Sequence, residues 1–448
     1  MDLISQFIFV FAGFLAGTMA GLLPGVGLLT TLTIVYPLLK MGGITELILF
    51  YMSLAATVQY VGTVPSVFIG IPGETNSAPA VQEGVKFSRH GNADIAVGVC
   101  AIGSVIGAVV SVAIFYWISG YALETFGTVV SNRFRSILYL TVLLCFVLFF
   151  NQKRILINIG LIAVGLWLGM VGSNPLTEEF RFTFGIQDLR WGLDIMPMIS
   201  GLIVIPALVQ RGYTYQARLG EIRTSFIRPW IVFLRNWTSS IRGSVVGFIC
   251  GLVPGITTIL ATSMSHTLEN KLHPNKPVRK IISAETSNNS AQFASLIPLL
   301  MFGIPITGSE MFLYQMLIDA GWIPSELNNL SANISMIFVT VLPWFVVVNL
   351  MGLLVSWPLA KQAMFFYRLE YKYIVALVLT VIVAVILYVG WTDHRMISYI
   401  LQTVFAGIIG FSLHRYNLLP MFTAYILSND IESVFVREIM FAKIYLGI

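Results

Sequence analysis

Gly21-Leu22-Leu23-Pro24-Gly25 and its echo, Gly251-Leu252-Val253-Pro254-Gly255, decide how this chain folds. Each phrase lies inside an apolar run that would otherwise form one unbroken helix. Proline removes a backbone donor and clashes with the preceding turn, and the glycine after it takes dihedrals that other residues avoid. The N–H and C=O groups freed by such a break cannot face lipid, so the break is buried in protein or lines a watery cavity. Two of them in corresponding places point to the binding site of a membrane transporter.

Outward from the two breaks, the composition is that of a membrane protein. Of 448 residues, 57% are hydrophobic and 10% charged, outside the range of soluble domains. Several runs reach the ~20 apolar residues that span a bilayer. They are continuous rather than alternating, which excludes a β-barrel. The expected fold is therefore all-α and polytopic. The net charge of +5 reads as a topology signal on loops, and no basic tract suggests nucleic-acid binding. Cys100, Cys145 and Cys250 lie within apolar segments without ligand spacing, as small core residues do. His90, His266, His273, His394 and His414 are scattered, and no zinc-protease or P-loop motif occurs, so an enzyme is not expected. Met1-Asp2-Leu3 lacks a basic leader, and the first helix is read as retained.

In chain order, Leu3 to Leu39 is apolar and broken at Pro24-Gly25. Ile44 to Ile71 follows, interrupted at Pro65 and closed by Gly70-Ile71-Pro72-Gly73, and Glu74 to Asp94 reads as a polar loop. Ala96 to Ser119 spans again, and Ser136 to Phe150 with Ile155 to Val171 make a hairpin. After the polar stretch Gly172 to Asp194, Ile195 to Val209 closes the first half. Arg211, Arg218, Arg223, Arg228, Arg235 and Arg242 against the single acid Glu221 mark a cytoplasmic linker by the positive-inside rule. The expected organisation is a first repeat over 1–210, this linker over 211–242 and a second repeat over 243–448. Later spans run from Ile334 to Leu354, Tyr373 to Trp391 and Ile397 to Leu413, and Asn417 to Ile448 reads as partly interfacial.

The second half repeats the first. The offset from Pro24 to Pro254 is 230, and that from Ile71-Pro72 to Ile304-Pro305 is 233, as an internal duplication gives. Gly243 to Met264 carries bases on both flanks, Arg242 on one side and Lys271, Lys276, Arg279 and Lys280 on the other. A hairpin that enters and returns keeps both flanks on the cytoplasmic side, so a re-entrant hairpin is expected. The first copy has Asp2 and Lys40 at its flanks, and Asp319 and Glu326 follow the second break. Together these point to inverted-topology repeats whose Pro/Gly-broken helices meet near the bilayer midplane.

The motifs in their order resemble the large membrane subunit of tripartite tricarboxylate transporters, the TctA family. Gly21 to Gly27 is similar to its first Pro-Gly signature, and Tyr60 to Pro65 running on to Ile71-Pro72-Gly73 to its second. Gly165 to Gly185, ending Arg181-Phe182-Thr183-Phe184-Gly185-Ile186, resembles a further family stretch. So do Gly251 to Gly255, Ala284-Glu285-Thr286-Ser287-Asn288-Asn289, and Ile297-Pro298-Leu299-Leu300 before Gly303-Ile304-Pro305. The resemblance implies a cation-coupled importer of a small tri- or dicarboxylate in a bacterial inner membrane. It implies as partners a small TctB-like membrane subunit and a periplasmic TctC-like solute-binding protein. The chain departs from the pattern at Ile306, where glycine is usual, at Gly70, where asparagine is frequent, and at Glu74 and Glu310, where small residues are common.

A half-helix that begins inside the membrane aims unpaired N–H groups and a positive dipole end at its surroundings, which suits a carboxylate. Unwound carbonyls and hydroxyls suit Na⁺. The candidate substrate residues are therefore Pro24, Gly25, Thr30, Thr31, Thr63, Ser66, Pro72 and Gly73 in the first half. In the second they are Pro254, Gly255, Thr257, Thr258, Asn288, Asn289, Pro305, Thr307 and Ser309. The plain alternative for each hydroxyl is a bond back to its own helix, and for Asn288 and Asn289 the capping of a helix start. Glu310 and Glu285 are candidate partners for the coupling ion, Na⁺ or H⁺, since a carboxylate inside a membrane has a functional reading by default. Asp194 beside Trp191 reads as an interface residue. No cofactor is expected. A passive anion pore, or a membrane scaffold that transports nothing, is the alternative on the same fold. For alternating access the hairpins favour an elevator over a rocking motion.

Overall fold

The computed structural model describes residues 3–23, 25–126, 132–151, 154–174, 177–210, 227–254, 258–323, 330–367 and 370–436. Nearly all regular structure is helical. The first half runs α1 Leu3–Leu22, α2 Leu28–Leu39, α3 Ile44–Phe68, α4 Ala78–Arg89 and α5 Ala93–Phe126. Then come α6 Asn132–Phe149, α7 Ile155–Gly169, α8 Ile195–Ile199 and α9 Ile205–Gln210, the last two joined by a π turn over Ser200–Val204. The second half runs α10 Ile227–Leu234, α11 Trp237–Gly251, α12 Thr258–Leu272, α13 Pro277–Phe302 and α14 Gly308–Asp319. It ends with α15 Leu330–Met336, a π turn over Ile337–Val341, α16 Leu342–Phe366, α17 Tyr371–Thr392, α18 Met396–Ser412 and α19 Leu419–Ile426. Among the described residues, five helical stretches are long and apolar enough to cross a membrane: Leu3–Leu22, Ile44–Phe68, Ala93–Tyr121, Leu330–Ser356 and Tyr371–Thr392.

Several sequence expectations are corrected. Pro65 does not interrupt its run, because α3 continues through it to Phe68. Glu74 to Asp94 is not a loop. Its middle is α4, an amphipathic helix that starts with Pro79 in its first turn and packs on α3 and α5. The basic stretch after 226 is helical, forming α10 and the start of α11, and two of its arginines are engaged. Arg228 bonds Asp94 and Asn92, and Arg242 bonds Glu269. The stretch expected to be interfacial contains α19, whose Met421 and Phe422 are fully buried against α7.

The chain forms two compact units, one from Met1–Val130 and Arg211–Val378, the other from Ser131–Gln210 and Leu379–Ile448. Each unit draws on both halves of the sequence. In the second unit α7 packs on α19, and the π turn of Ser200–Val204 packs on α18. A two-residue ribbon pairs β1 Gly172–Ser173 with β2 Phe180–Arg181. Two ion pairs tie its loops down, Arg181 with Glu432 at 2.7 Å and Arg395 with Asp194 at 2.9 Å.

In the first unit, two buried helices, α3 and α13, hold the rest together. Three glycines one turn apart let α1 lie directly on α3. A Cβ on Gly13 would come within 2.5 Å of the Phe50 carbonyl, one on Gly17 within 2.8 Å of the Leu54 carbonyl, and one on Gly21 within 2.8 Å of Val61 Cβ. On α11 the same device meets α13. There Gly243 would meet the Ser283 carbonyl at 2.3 Å, Gly247 the Ser287 carbonyl at 2.3 Å, and Gly251 the Ala291 carbonyl at 2.5 Å. Such stripes of small residues are how helices pack where lipid provides no hydrophobic drive.

The helices on either side of each Pro-Gly break fold back on one another, α2 on α1 and α12 on α11. Arg242, near the start of α11, bonds Glu269, near the end of α12, at 2.6 Å, so these helices run antiparallel. At the first hairpin, Gly42 beyond the end of α2 comes against the Phe9 ring of α1. The hairpin geometry expected from the charge flanks is thus present in both halves.

Candidate functional site

The loop that follows α3 lies against the end of α1 and the tip of the first hairpin on one side and against α12 and α13 on the other. Between α3 and α4 the chain turns through Gly70-Ile71-Pro72-Gly73, with Gly70 at φ 72°. Gly73 donates its N–H to the Gly62 carbonyl at 3.3 Å. A side chain at Gly73 would strike the Gly21 carbonyl at 2.6 Å and Gly62 Cα at 2.7 Å, so glycine is required there by close approach. The turn Thr75–Ser77 that follows packs against α12 and α13, bringing the first-half loop to the second-half helices. In the second half Gly303 ends α13 in the left-handed conformation at φ 73°, and Thr307 starts α14.

α13 carries an almost unbroken polar run, Ser283 to Ser295, and nearly all of it is buried. Buried polar groups persist only when they are paired, and most of these are. Ser283 pairs with Ser265, Thr286 with Ser240, and Ser290 with Ser111 and the Ser244 carbonyl. Asn289 donates to Ser104 Oγ at 2.7 Å, and Ser104 reaches Glu285 Oε1 at 3.5 Å. Gln59 of α3 donates to Gln292 Oε1 at 3.3 Å. The Ser287 hydroxyl and the Asn288 amide are the exceptions. Asn288 is fully buried with its amide facing Glu285, and neither Nδ2 nor Oδ1 reaches full hydrogen-bond geometry with that carboxylate or with any other described group. A buried amide without partners costs about 1–3 kcal/mol. Glu74, on the loop after Pro72-Gly73, is near enough to Glu285 for the two charges to repel.

The candidates fare differently. Asn288 and Asn289, expected at a helix start, lie in the middle of α13, so neither caps it. Glu285 is 1% exposed within the same helix. Thr31, Thr63 and Ser66 bond back to the carbonyls of Gly27, Tyr60 and Gly62, the plain alternative for each. Thr30 is buried on α2, and Thr258 is the first residue of α12. Ser309 pairs with the Tyr51 hydroxyl at 3.0 Å.

Thr307 and Glu310 form a reciprocal cap. The Thr307 hydroxyl accepts the Glu310 N–H, while Glu310 Oε2 accepts the N–H groups of Thr307 and Ile306 at 3.1 Å each. Its Oε1 accepts the Ser295 hydroxyl at 2.6 Å, so both carboxylate oxygens are engaged. Gly25, Pro72 and Gly73 lie in the tip of the first hairpin and in the loop after α3, and Pro254 and Pro305 occupy the matching places in the second half. Pro24, Gly255 and Thr257 fall outside the described residues. Asp194 belongs to the second unit, where Arg395, Gln402 and Tyr399 hold it.

Sequence reasoning passed over Gln59, Ser77, Ser104 and Gln292. Gln59 and Gln292 carried a usable signal, because their offset of 233 is the one that separates Ile71-Pro72 from Ile304-Pro305.

Residues 7–423 match the family described as "Tripartite tricarboxylate transporter TctA family". The chain is 29% identical over 312 residues to an uncharacterized 52.8 kDa protein of the TAR-I ttuC′ 3′ region of Agrobacterium vitis, a match covering 66% of this chain and 61% of that protein. It is 22% identical over 308 residues to an uncharacterized protein of Methanocaldococcus jannaschii, covering 67% of this chain and 70% of the relative. No solved structure matches.

Proposed function

Because this chain belongs to the tripartite tricarboxylate transporter TctA family, a family of multi-pass membrane transporter subunits, we propose that it is the large subunit of a cation-coupled importer of a small organic acid. It works by alternating access in a bacterial inner membrane. A periplasmic solute-binding protein delivers the acid, and a small membrane subunit accompanies the chain. The two halves are inverted copies whose hairpins meet around α13.

The observation that carries this reading is the pair Asn288 and Glu285, a buried amide and a buried carboxylate in the middle of α13 whose amide reaches no hydrogen bond of full geometry among the described residues. Such a group is costly to keep for stability alone and is well suited to a solute or ion that arrives from outside. Glu285 beside it is the carboxylate suited to a coupling Na⁺ or proton, whereas Glu310 has its oxygens committed to the α14 cap. Buried without a counter-ion, a carboxylate favours taking up a cation or a proton. The candidate residues all fall within one compact unit, as a site carried by the moving part of an elevator must.

The test is uptake into proteoliposomes that hold this chain and its small partner subunit. A panel of labelled organic acids is supplied with and without the binding protein, under imposed Na⁺ or proton gradients. Accumulation against the acid's own gradient, abolished by collapsing the cation gradient, is expected. Flux that follows the acid's gradient alone points instead to a passive pore, and absence of any uptake to a scaffold.

A further inference from the structure

Glu285 is enclosed in the first unit without a cation to answer it. It is 1% exposed, and among the described residues it forms no ion pair. A carboxylate is almost never fully buried unless it is paired. The bases of the helices around it serve other acids. Lys86 of α4 and Lys280 of α13 lie on Glu83, with His266 of α12 4.0 Å from the same carboxylate. Arg242 of α11 lies on Glu269, Arg228 of α10 on Asp94, and Arg279 of α13 on Asn236 and His273. The titratable groups that face Glu285 are Tyr60 of α3, Cys100 of α5 and Glu74 of the loop after α3, and none of them is a cation.

Asn288 follows Glu285 by three residues, so the two side chains share one face of α13. With donor and acceptor both idle, its amide is free to turn about a broad, two-fold terminal torsion. Toward an ionised Glu285 it presents Nδ2, and toward a protonated one it presents Oδ1 to the carboxyl O–H. Ser104 suits both states, because its oxygen already accepts Asn289 Nδ2 at 2.7 Å and its hydrogen points to Glu285 Oε1 at 3.5 Å. Sodium asks for different surroundings, the carbonyls of unwound helix. Here α13 runs unbroken from Pro277 to Phe302 and α5 from Ala93 to Phe126, so the carbonyls beside Glu285 serve their own helices. The two helices also leave no room for a cage. A Cβ on Gly103 would come within 3.0 Å of Thr286 Oγ1, and one on Gly107 within 2.5 Å of the Thr286 carbonyl. A proton needs one oxygen, one acceptor and no space.

We infer that the coupling ion is a proton, that Glu285 carries it, and that the Asn288 amide turns with each binding and release. The inference rests on the reading of the chain as an organic-acid transporter. The proton adds to one carboxylate oxygen, and the neutral carboxyl donates its O–H to Asn288 Oδ1. On release the proton passes to water on the other side of the membrane, and the carboxylate accepts the Asn288 N–H instead. Glu74, half-buried on its loop, repels the ionised form of Glu285, and the bound proton relieves that repulsion. The loaded helix therefore carries no uncompensated charge at its centre, where such a charge is costly.

The test compares the full chain with Glu285→Gln, each reconstituted in proteoliposomes with the small subunit and the binding protein. The probes are labelled lactate, succinate and citrate, with the membrane potential clamped at zero and protein-free vesicles as the blank. In wild type, an inward gradient of about one pH unit should concentrate the acid about tenfold for each proton carried. A Na⁺ gradient at equal pH should concentrate it not at all. Uptake by Glu285→Gln should no longer follow the proton gradient. The comparison of gradients in wild type stands whether or not the variant folds. A second readout needs no transport: infrared difference spectra of the solubilised protein should show a protonated-carboxyl band on acidification that Glu285→Gln lacks. Accumulation by wild type that follows Na⁺ and ignores the proton gradient overturns the inference and leaves the transporter reading intact. A Glu285→Gln protein that still follows the proton gradient, or that shows the same carboxyl band as wild type, overturns it as well. Failure of wild type to take up any of these acids overturns the transporter reading itself, while the infrared band still decides whether Glu285 takes up a proton.

Discussion

Replacing Gly247 by alanine tests whether α13 is held in place by backbone contact with α11. The new Cβ would lie 2.3 Å from the Ser287 carbonyl oxygen and 2.7 Å from Ser287 Cα. Ordinary contact begins at 3.4 Å, so the helices must part by roughly 1 Å to restore it. Overpacking of this kind costs about 1–3 kcal/mol. The better helix propensity of alanine returns ~1 kcal/mol, leaving a net loss of roughly 0–2 kcal/mol. Ser287 adjoins Asn288, so the same displacement moves the unpartnered amide, and a shift of ~1 Å at a binding site lowers its rate by about 10–100-fold. Thermal unfolding of the purified protein and uptake in proteoliposomes measure the two effects. Gly160→Ala on α7 is the control, since nothing lies within 4 Å of its new Cβ. The control should match or exceed wild type in stability. If Gly247→Ala unfolds and transports like Gly160→Ala, the glycine stripe does not set the position of α13 and the reasoning fails.

Asn288→Leu should raise stability by about 1–3 kcal/mol, because it removes a buried amide without partners, and should abolish uptake; a less stable variant that still transports would show the amide to be structural. Gln59→Leu and Gln292→Leu should each destabilise by about 1–3 kcal/mol, by leaving the other buried amide alone. The double variant should lose less than the sum, and strict additivity in the cycle of unfolding free energies would deny that the two amides are coupled. In the second unit, burial pushes the Asp194 carboxyl above its usual value while Arg395 pulls it down, so Arg395→Gln should raise it further and cost about 1–3 kcal/mol. A carboxyl raised in the folded state binds protons more tightly there than in the unfolded chain. Stability then falls as pH rises from about 4 toward neutrality, and the gap between variant and wild type should be wider at pH 8 than at pH 5. Equal gaps would mean that Asp194 is not the group at stake.

The two breaks were legible because proline and glycine act on the backbone within one or two residues, whatever surrounds them. The hairpins were legible from charge, through Arg242 on one flank and Lys271, Lys276, Arg279 and Lys280 on the other, since charges resist burial in lipid. What the sequence hid was the interior of α13. A run of serine, threonine, asparagine and glutamate reads as a loop when its partners are unknown. Those partners, Ser104, Ser111, Ser240 and Ser265, are distant in sequence and unremarkable where they stand. Pro65 misled for the opposite reason, because a helix buried on every side keeps its course through a proline whose lost bond is local. Glu310 stood out as a carboxylate in an apolar setting, but its role depends on Thr307, one helical turn away, and on Ser295, reachable only once Gly303 has turned the chain.

The two offsets, 230 between the breaks and 233 between the Ile-Pro loops, differ because of one place in the chain. α2 has 12 residues and α12 has 15, so the extra length lies in the returning arm of the second hairpin. Glycines before that arm, Gly13, Gly17 and Gly21, recur at the shorter offset as Gly243, Gly247 and Gly251. Two of the carbonyls they meet, at Phe50 and Leu54, recur at the longer offset at Ser283 and Ser287, so the same helix contact is made on both sides of the insertion. Contacts between the halves are also exchanged in pairs: α2 packs on α14 while α12 packs on α4, and α3 packs on α16 while α13 packs on α5. Exchange of partners is what a two-fold relation produces, and equivalent residues can touch each other only where its axis passes. Gln59 and Gln292 are equivalent by the longer offset and do touch, at 3.3 Å. The three extra residues fall in the returning arm, and that arm still packs on the other half in both copies, α2 on α14 and α12 on α4.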